Sequence, residues 1–269
     1  MPVPGEQKEE VEVKDLGNGR VLVLVPGIPG PWQYVGPAVD ALAARFHVVT
    51  FSLGADMTDA RSLVEHEVER VKGILDARRL ERAIVCGISY GGVVATSFAA
   101  RYPSRTSALV IASAPGAGWH LRPRHEIYAR WPLIFGPLFL AESPFRLRAE
   151  LAAALPALSD RWRFARWQLG TFVGRPFSLS QMAARARALA SHDIVADCQR
   201  VAAPTLVITG ERDLDRVVPV DSTATYSQLI PGARSAVLER TGHLGTITRP
   251  EIFADMVHVF VRQMAEAVA

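Results

Sequence analysis

Cysteine is scarce in this chain of 269 residues, and long apolar runs are missing. The two cysteines, Cys86 and Cys198, are too few for a disulfide framework, and neither has metal-ligand spacing. No apolar stretch approaches the roughly 20 residues that a membrane span needs. The polar first residues also lack the apolar segment of a signal peptide. We therefore expect a cytoplasmic protein without integral membrane association.

A strong net charge and nucleotide-binding loops are missing as well. The net charge of +3 is too small to indicate a nucleic-acid-binding protein. The sequence contains neither a G-x-x-x-x-G-K-S/T loop nor a dinucleotide-binding G-x-G-x-x-G after its first apolar run. No pair of histidines has metal-ligand spacing. We expect no nucleic-acid partner, no cofactor and no metal, and the sequence leaves the oligomeric state open.

Short β-rich runs recur along the chain. They lie at 21–25 (VLVLV), 46–51 (FHVVTF), 83–86 (AIVC), 108–112 (ALVIA), 205–209 (TLVIT) and 236–238 (AVL). Runs that are apolar throughout are typical of strands buried on both faces, as in a parallel sheet. Helical patterns at 34–45, 59–79, 91–102 and 250–267 lie between or after these runs. The alternation predicts an α/β fold with a doubly wound, mostly parallel sheet and helices on both faces.

One region, from about residue 116 to residue 195, has no strand pattern. We predict that it is a helical cap inserted into a core formed by residues 1–115 and 196–269. We also expect prolines to divide it into short helices. These are Pro132, Pro137, Pro144, Pro156 and Pro176.

The cap region is rich in aromatic residues and in arginine. Clefts between modules are lined mainly by apolar and aromatic groups, so Trp119, Tyr128, Trp131 and Phe135 are candidate substrate contacts. Cap aromatics can equally form the packing core of the lid itself. The segment holds eleven Arg and no Lys against five acidic residues. This excess is either a solvated face or a surface that attracts an anionic substrate or an acidic membrane.

A candidate nucleophile follows the third apolar run. Residues 87–92 read Gly-Ile-Ser-Tyr-Gly-Gly, a G-x-S-x-G pattern with a strand before it and a helix after it. The sharp turn in such a pattern strains the serine backbone and exposes its hydroxyl above the sheet. The following helix N-terminus contributes a positive dipole end where an oxyanion forms. This context indicates a catalytic Ser89 over a spectator serine in a Gly-rich turn.

Candidate partners for Ser89 lie near the carboxyl ends of later strands. The run 205–209 leads into Gly-Glu-Arg-Asp-Leu-Asp, which places Asp213 and Asp215 where α/β sheets carry functional groups. His243 lies between the sixth run and the last helix. The chain order Ser, Asp, His is the one found where the serine lies on a G-x-S-x-G turn between a strand and a helix. His243 is predicted to take the Ser89 proton, and Asp213 to orient the imidazole, with Asp215 as the alternative.

The chain resembles the α/β-hydrolase superfamily, specifically its small bacterial members with a helical cap. The resemblance rests on three motifs in order: GISYGG at 87–92, GERDLDRVVP at 210–219, and Gly242-His243. The family pattern places the acid three residues after Gly210, at Asp213. The resemblance also implies an oxyanion hole made by the backbone N–H groups of Ile28 and Tyr90.

The oxyanion loop departs from the family at one position. Members usually have His-Gly after the first central strand, whereas this chain has Pro26-Gly27-Ile28-Pro29. Pro29 has no N–H to donate, but Ile28 has one. Pro26 removes the histidine side chain that supports this loop in relatives.

These features predict a serine hydrolase that cleaves a carboxylic ester with an apolar part, through an acyl-enzyme. Three alternatives use the same triad or fold. They are a C–C bond hydrolase of ring-cleavage diketones, a cofactor-free perhydrolase or haloperoxidase, and a receptor-like hydrolase that binds a ligand and signals to a protein partner.

Overall fold

A seven-stranded sheet forms the centre of the molecule. The structure is a computed structural model that describes residues 12–54 and 63–266. In spatial order the strands are β1, β3, β2, β4, β5, β6 and β7. Their bounds are β1 Val13–Leu16, β2 Val21–Val25, β3 His47–Phe51, β4 Ala83–Ile88, β5 Thr106–Ala112, β6 Thr205–Thr209 and β7 Arg234–Val237. All neighbouring pairs are parallel except β1 with β3.

The central strands are buried on both faces, as the apolar runs predicted. Every residue of β4 and β6 is buried, including the polar Thr205 and Thr209. The edge strand β1 was not predicted. Its residues Lys14 and Asp15 are exposed, and only Val13 and Leu16 are partly buried. A strand with so few apolar residues has no periodicity that distinguishes it from a loop, and its pairing with β3 defines it.

Helices cover both faces of the sheet, which confirms the predicted doubly wound α/β fold. One face is covered by α1 (Gly36–Ala43) and α11 (Pro250–Glu266), which bury residues such as Leu42 and Phe253. The other is covered by α2 (Leu63–Ala77), α3 (Tyr90–Arg101), α8 (Ile194–Arg200) and α9 (Val220–Leu229). A 3-10 turn at Trp32–Val35 precedes α1, and α10 (Gly245–Thr248) precedes α11. Residues 59–62 of the second predicted helix lie outside the described residues.

Four helices lie between β5 and α8, and we call them the cap helices. They are α4 (Pro123–Arg130), α5 (Pro132–Ala154), α6 (Leu158–Gly174) and α7 (Leu179–Ser191). Prolines do not divide this region as finely as predicted, because α5 continues through Pro137 and Pro144. Each internal proline removes one backbone hydrogen bond, and the helix tolerates both losses. The division of the chain into a core and a cap at 116–195 stays a prediction.

The cap helices carry two buried charged side chains, Glu150 on α5 and Arg185 on α7. A buried charge needs partners, so these residues mark where the cap helices make polar contacts inside the protein. Within residues 12–54 and 63–266, no helix is long and apolar enough to cross a membrane.

Candidate active site

Ser89 lies on a strained turn between β4 and α3. Its φ of 56° is in the left-handed region, which a non-glycine residue rarely adopts. The turn is fixed by backbone hydrogen bonds: Ser89 N–H donates to the Ala112 carbonyl at 2.9 Å, and Gly92 N–H donates to the Ser89 carbonyl at 2.9 Å. The serine is therefore held at the carboxyl edge of the sheet by β5 and by the first turn of α3.

Two glycines make this turn possible. A Cβ at Gly87 would lie 2.1 Å from the Gly91 carbonyl oxygen, and a Cβ at Gly91 would lie 2.2 Å from the Val25 carbonyl oxygen. Both distances are far inside van der Waals contact, so no side chain fits at either position. The spacing of the G-x-S-x-G motif thus reflects the close approach of the turn to β2 and to itself.

His243 reaches Ser89 from the loop between β7 and α10. Its Nε2 lies 3.1 Å from Ser89 Oγ, within hydrogen-bond distance. Its Nδ1 lies 3.4 Å from Asp215 Oδ2, and the Asp215 side chain is almost fully buried. The second distance is longer than a normal hydrogen bond, as is common before substrate binds. Ser89, His243 and Asp215 therefore form a continuous Ser-His-Asp arrangement.

The prediction that Asp213 is the partner of His243 is wrong in this structure, because Asp213 is exposed and Asp215 occupies that position. The reason is the helical turn after β6. Asp215 N–H donates to the Glu211 carbonyl at 3.1 Å. In such a turn, residues two positions apart point to different sides, so the turn directs Asp215 inward when Asp213 points outward.

The sequence around Asp215 has the pattern of an aspartate turn, which the prediction based on spacing from Gly210 did not consider. Asp215 Oδ1 accepts hydrogen bonds from the N–H groups of Val217 at 2.9 Å and Val218 at 2.8 Å. An aspartate that bonds the backbone two residues on is a common turn motif. These bonds leave Oδ2 to face the imidazole, so the turn fixes the carboxylate in the required orientation.

The charges around His243 favour its protonated form. Burial lowers the pKa of the His243 imidazole, but the adjacent Asp215 carboxylate and, more weakly, Glu150 outweigh burial, so the pKa is raised. The protonated imidazole is therefore stabilised by the two carboxylates.

The loop at residues 26–29 passes close to Ser89. A Cβ at Gly27 would lie 3.6 Å from the Ser89 Cβ, and Ile28 lines the same cavity as Ser89 and His243. Tyr90 is the first residue of α3, so its N–H has no acceptor within the helix. The two backbone donors expected from the resemblance thus belong to segments that lie beside Ser89.

Arg185 contacts the loop at residues 26–29, and sequence reasoning missed it. Its Nη1 donates to the Ile28 carbonyl at 2.9 Å, and its Nη2 donates to the Gly54 carbonyl at 2.9 Å. The side chain is 1% exposed, and the buried Glu67 balances its charge. These two bonds join α7 to the loop that carries Ile28 and to Gly54.

Glu150 is the second residue that sequence reasoning missed. It lies on α5, is completely buried, and accepts backbone hydrogen bonds from Gly242 and Leu244, the two neighbours of His243. A lone glutamate in a helix of mixed apolar and charged residues gives no sequence signal for such a contact.

A mostly apolar cavity of about 170 Å³ opens onto Ser89 and His243. Of the four predicted aromatic contacts, Trp119 and Tyr128 line it. The other two do not: Trp131 is 53% exposed at the start of α5, and Phe135 stacks on the Tyr128 ring at a centroid distance of 5.7 Å. Further lining residues come from several elements, namely Leu121, His125, Phe139, Arg146, Leu179, Met182, Leu189, Arg216, Val217 and Val218.

The predictions that Trp131 and Phe135 line the cavity fail for a common reason. Aromatic content identifies the segment that covers the site, but it does not tell which face of each helix points inward. Phe135 supports Tyr128 from behind, and Phe139, one turn later on α5, reaches the cavity.

The sheet, its helices and the Ser89 turn together form an α/β-hydrolase fold. Residues 22–256 match the model of the alpha/beta hydrolase family. The chain belongs to that family.

Individual relatives within this family differ in what they act on. The chain is 28% identical over 268 residues to 2-hydroxy-6-oxo-2,4-heptadienoate hydrolase of Pseudomonas putida, covering 94% of this chain and 92% of the relative. It is 29% identical over 266 residues to a pimeloyl-acyl-carrier protein methyl ester esterase of Aeromonas hydrophila, covering 93% and 99%. The enol-lactonase of Burkholderia xenovorans LB400 has a similar structure, with a TM-score of 0.76 at 21% identity, covering 94% and 96%.

Proposed function

We propose that this chain is a serine hydrolase that cleaves a carboxylic ester, or a related acyl bond, through Ser89, His243 and Asp215. The observation that supports it is the 3.1 Å contact between Ser89 Oγ and His243 Nε2, with the Asp215 carboxylate on the other ring nitrogen. Nucleophile and base within hydrogen-bond reach, with the base oriented by a third group, is the arrangement of covalent catalysis.

In the acylation step, Ser89 Oγ attacks the substrate carbonyl carbon and its proton passes to His243 Nε2. The carbonyl oxygen becomes an oxyanion, which the N–H groups of Ile28 and Tyr90 would stabilise. One such donor is typically worth about 3 kcal/mol of transition-state stabilisation. The imidazolium then protonates the leaving alcohol as the bond between the acyl carbon and the alcohol oxygen breaks.

In the deacylation step, water attacks the acyl carbon of the acyl-enzyme and gives its proton to His243. The bond to Ser89 Oγ breaks, and Oγ takes that proton back, so the carboxylic acid leaves and the enzyme is restored. Asp215 keeps the same role in both steps, because it stabilises the imidazolium each time that it forms.

The cavity suits a small substrate with an apolar acyl or alcohol part. Its lining is formed mainly by aliphatic and aromatic side chains from α4, α5 and α7. None of the described residues that line it carries a carboxylate. Two arginines line it: Arg146, which is ion-paired with Glu142 at 3.7 Å, and the exposed Arg216. A substrate with a negative group beside an apolar body therefore fits its electrostatics.

This last observation favours a second candidate, cleavage of a C–C bond in a diketone acid. The relative from Pseudomonas putida is named for a dienoate, which carries a carboxylate. In this reaction the same serine would attack a ketone carbonyl. The bond from that carbonyl carbon to the enol system would break, and the imidazolium of His243 would protonate the leaving carbon in place of an alcohol oxygen. The two candidates share the triad and differ in the carbonyl that is attacked and in the leaving group.

The test is hydrolysis of p-nitrophenyl esters from acetate to dodecanoate beside a panel of ring-cleavage diketone acids. Wild type is compared with Ser89→Ala and His243→Ala, and His66→Ala is the matched control because His66 is exposed on α2. We expect turnover of esters by wild type and the control and loss of most activity in both site variants. Faster turnover of the diketone acids would favour the second candidate. A wild-type protein that neither turns over a substrate nor is labelled at Ser89 by a fluorophosphonate would contradict the proposal.

A further inference from the structure

Glu150 joins a cap helix to the loop that carries His243. Its Oε1 accepts a hydrogen bond from Gly242 N–H at 2.8 Å and another from Leu244 N–H at 2.6 Å. These amides belong to the residues immediately before and after His243. One carboxylate oxygen therefore fixes the backbone on both sides of the imidazole.

The rest of the carboxylate is unusual for a purely structural contact. Glu150 is 0% exposed, and its Oε2 has no hydrogen-bond partner among the described residues. Burying a carboxylate without full hydrogen bonding is costly, and a neutral acceptor such as glutamine would serve the two amides equally well. What a carboxylate adds to glutamine at this position is its negative charge, so the charge is the property to explain.

The charged groups that face Glu150 are those of the catalytic arrangement. His243 and Asp215 are the ionisable groups whose charges influence the pKa of Glu150. A further link between the His243 loop and α5 is the hydrogen bond from Arg240 Nε to the Ala153 carbonyl at 3.1 Å. Burial raises the pKa of the Glu150 carboxyl to about 7, against the opposing effects of His243 and the two amides. Its charge therefore changes in the same pH range as that of a typical histidine.

We propose that Glu150 is a positioning residue that α5 supplies to the catalytic histidine: it holds the His243 loop and, when ionised, places a second negative charge beside the imidazole. This inference rests on the proposed function of Ser89, His243 and Asp215. It makes the cap helix part of the catalytic arrangement, because a displacement of α5 would remove both the loop contact and the charge.

The role of the charge is separated from the role of the hydrogen bonds by two variants. Glu150→Gln keeps an acceptor for the two amides and removes the charge, whereas Glu150→Leu removes both. Glu126→Gln is the matched control, because Glu126 is an exposed carboxylate on the neighbouring cap helix α4. The first readout is the pKa of His243, measured by an NMR titration of ring-labelled histidine. This measurement does not depend on catalysis.

We expect Glu150→Gln to lower the pKa of His243 and to move the acidic limb of the kcat/KM profile to lower pH by the same amount. A shift of about one pH unit corresponds to a roughly tenfold fall in kcat with KM nearly unchanged, since the lost interaction stabilises only the imidazolium. Glu150→Leu should lose about another tenfold, because the Gly242 and Leu244 N–H groups lose their acceptor.

Two results would overturn the proposal. One is a Glu150→Gln protein whose His243 pKa and pH profile match those of Glu126→Gln. The other is a Glu150→Leu protein that loses activity only through unfolding, seen by circular dichroism, while Glu150→Gln is unaffected. Failure of the proposed function is a separate outcome: a wild type that a fluorophosphonate does not label. In that case the NMR titration would still report the effect of Glu150 on the pKa of His243.

Discussion

Asp215 and Asp213 offer a direct test of which carboxylate serves His243. The substitution Asp215→Asn removes a negative charge whose Oδ2 lies 3.4 Å from His243 Nδ1. At an effective dielectric constant of about 20, unit charges at that distance attract by about 5 kcal/mol. Since about 1.4 kcal/mol is a factor of ten in rate, the expected loss in kcat is between about 1,000-fold and 10,000-fold.

The substitution also affects the tautomer of the imidazole. The asparagine Oδ1 can still accept from Val217 and Val218, so its NH2 group faces His243 Nδ1. A donor there favours the tautomer with its proton on Nε2, which cannot accept the proton of Ser89. The loss should therefore appear in kcat and in kcat/KM, with little change in KM.

The assay is ester hydrolysis with active-site titration, and Asp213→Asn is the matched control. Because Asp213 is exposed, its substitution should change kcat/KM by no more than about twofold. Urea unfolding of both variants checks that the loss is not one of folding. A large loss in Asp213→Asn, or near-normal activity in Asp215→Asn, would refute the assignment of Asp215.

Three further predictions concern the cap helices. Arg185→Met should lower the free energy of unfolding by about 2–4 kcal/mol in urea and should also lower kcat, because the Ile28 and Gly54 carbonyls lose a charged donor. Glu150→Gln should become more stable relative to wild type, by up to about 3 kcal/mol, between about pH 4.5 and pH 8 in urea unfolding. Met182→Ala should move the preferred p-nitrophenyl ester to a longer acyl chain, because Met182 lines the cavity.

The sign of the Glu150 prediction follows from its raised pKa. A carboxyl that titrates at about 7 in the folded protein and near 4.5 in the unfolded chain is bound to more protons when folded. Wild type therefore loses stability as the pH rises between these two values, whereas glutamine does not titrate. A stability difference between the two proteins that does not change with pH would contradict this account.

The other two predictions have simple controls. Arg166→Met replaces an exposed arginine of α6 and should leave both stability and kcat nearly unchanged. If Arg166→Met and Arg185→Met lowered stability and kcat equally, the contacts of Arg185 would not explain its effect. Met264→Ala lies on α11, away from the cavity lining, and should keep the wild-type chain-length preference.

The sequence by itself determined the elements whose chemistry is local. Apolar runs identified the buried strands because strands covered on both faces carry apolar residues at successive positions. The G-x-S-x-G motif identified Ser89 because its glycines are required by contacts within a few residues, and Gly242-His243 identified the histidine. The strand β1 and the helix α9 were missed, since β1 has two exposed charged residues among its four and α9 mixes polar and apolar positions.

Only the tertiary structure decided which side chains meet. Asp213 and Asp215 are two residues apart on one turn, and the orientation of that turn, not the composition of the motif, directs Asp215 to His243. The same limit applies to Trp131 and Phe135, which share the composition of the cavity lining but not its face. Glu150 and Arg185 lie 93 and 157 positions from His243 and Ile28. Contacts over such separations are set by how the cap helices pack on the core, and sequence periodicity describes only the helix on which a residue lies.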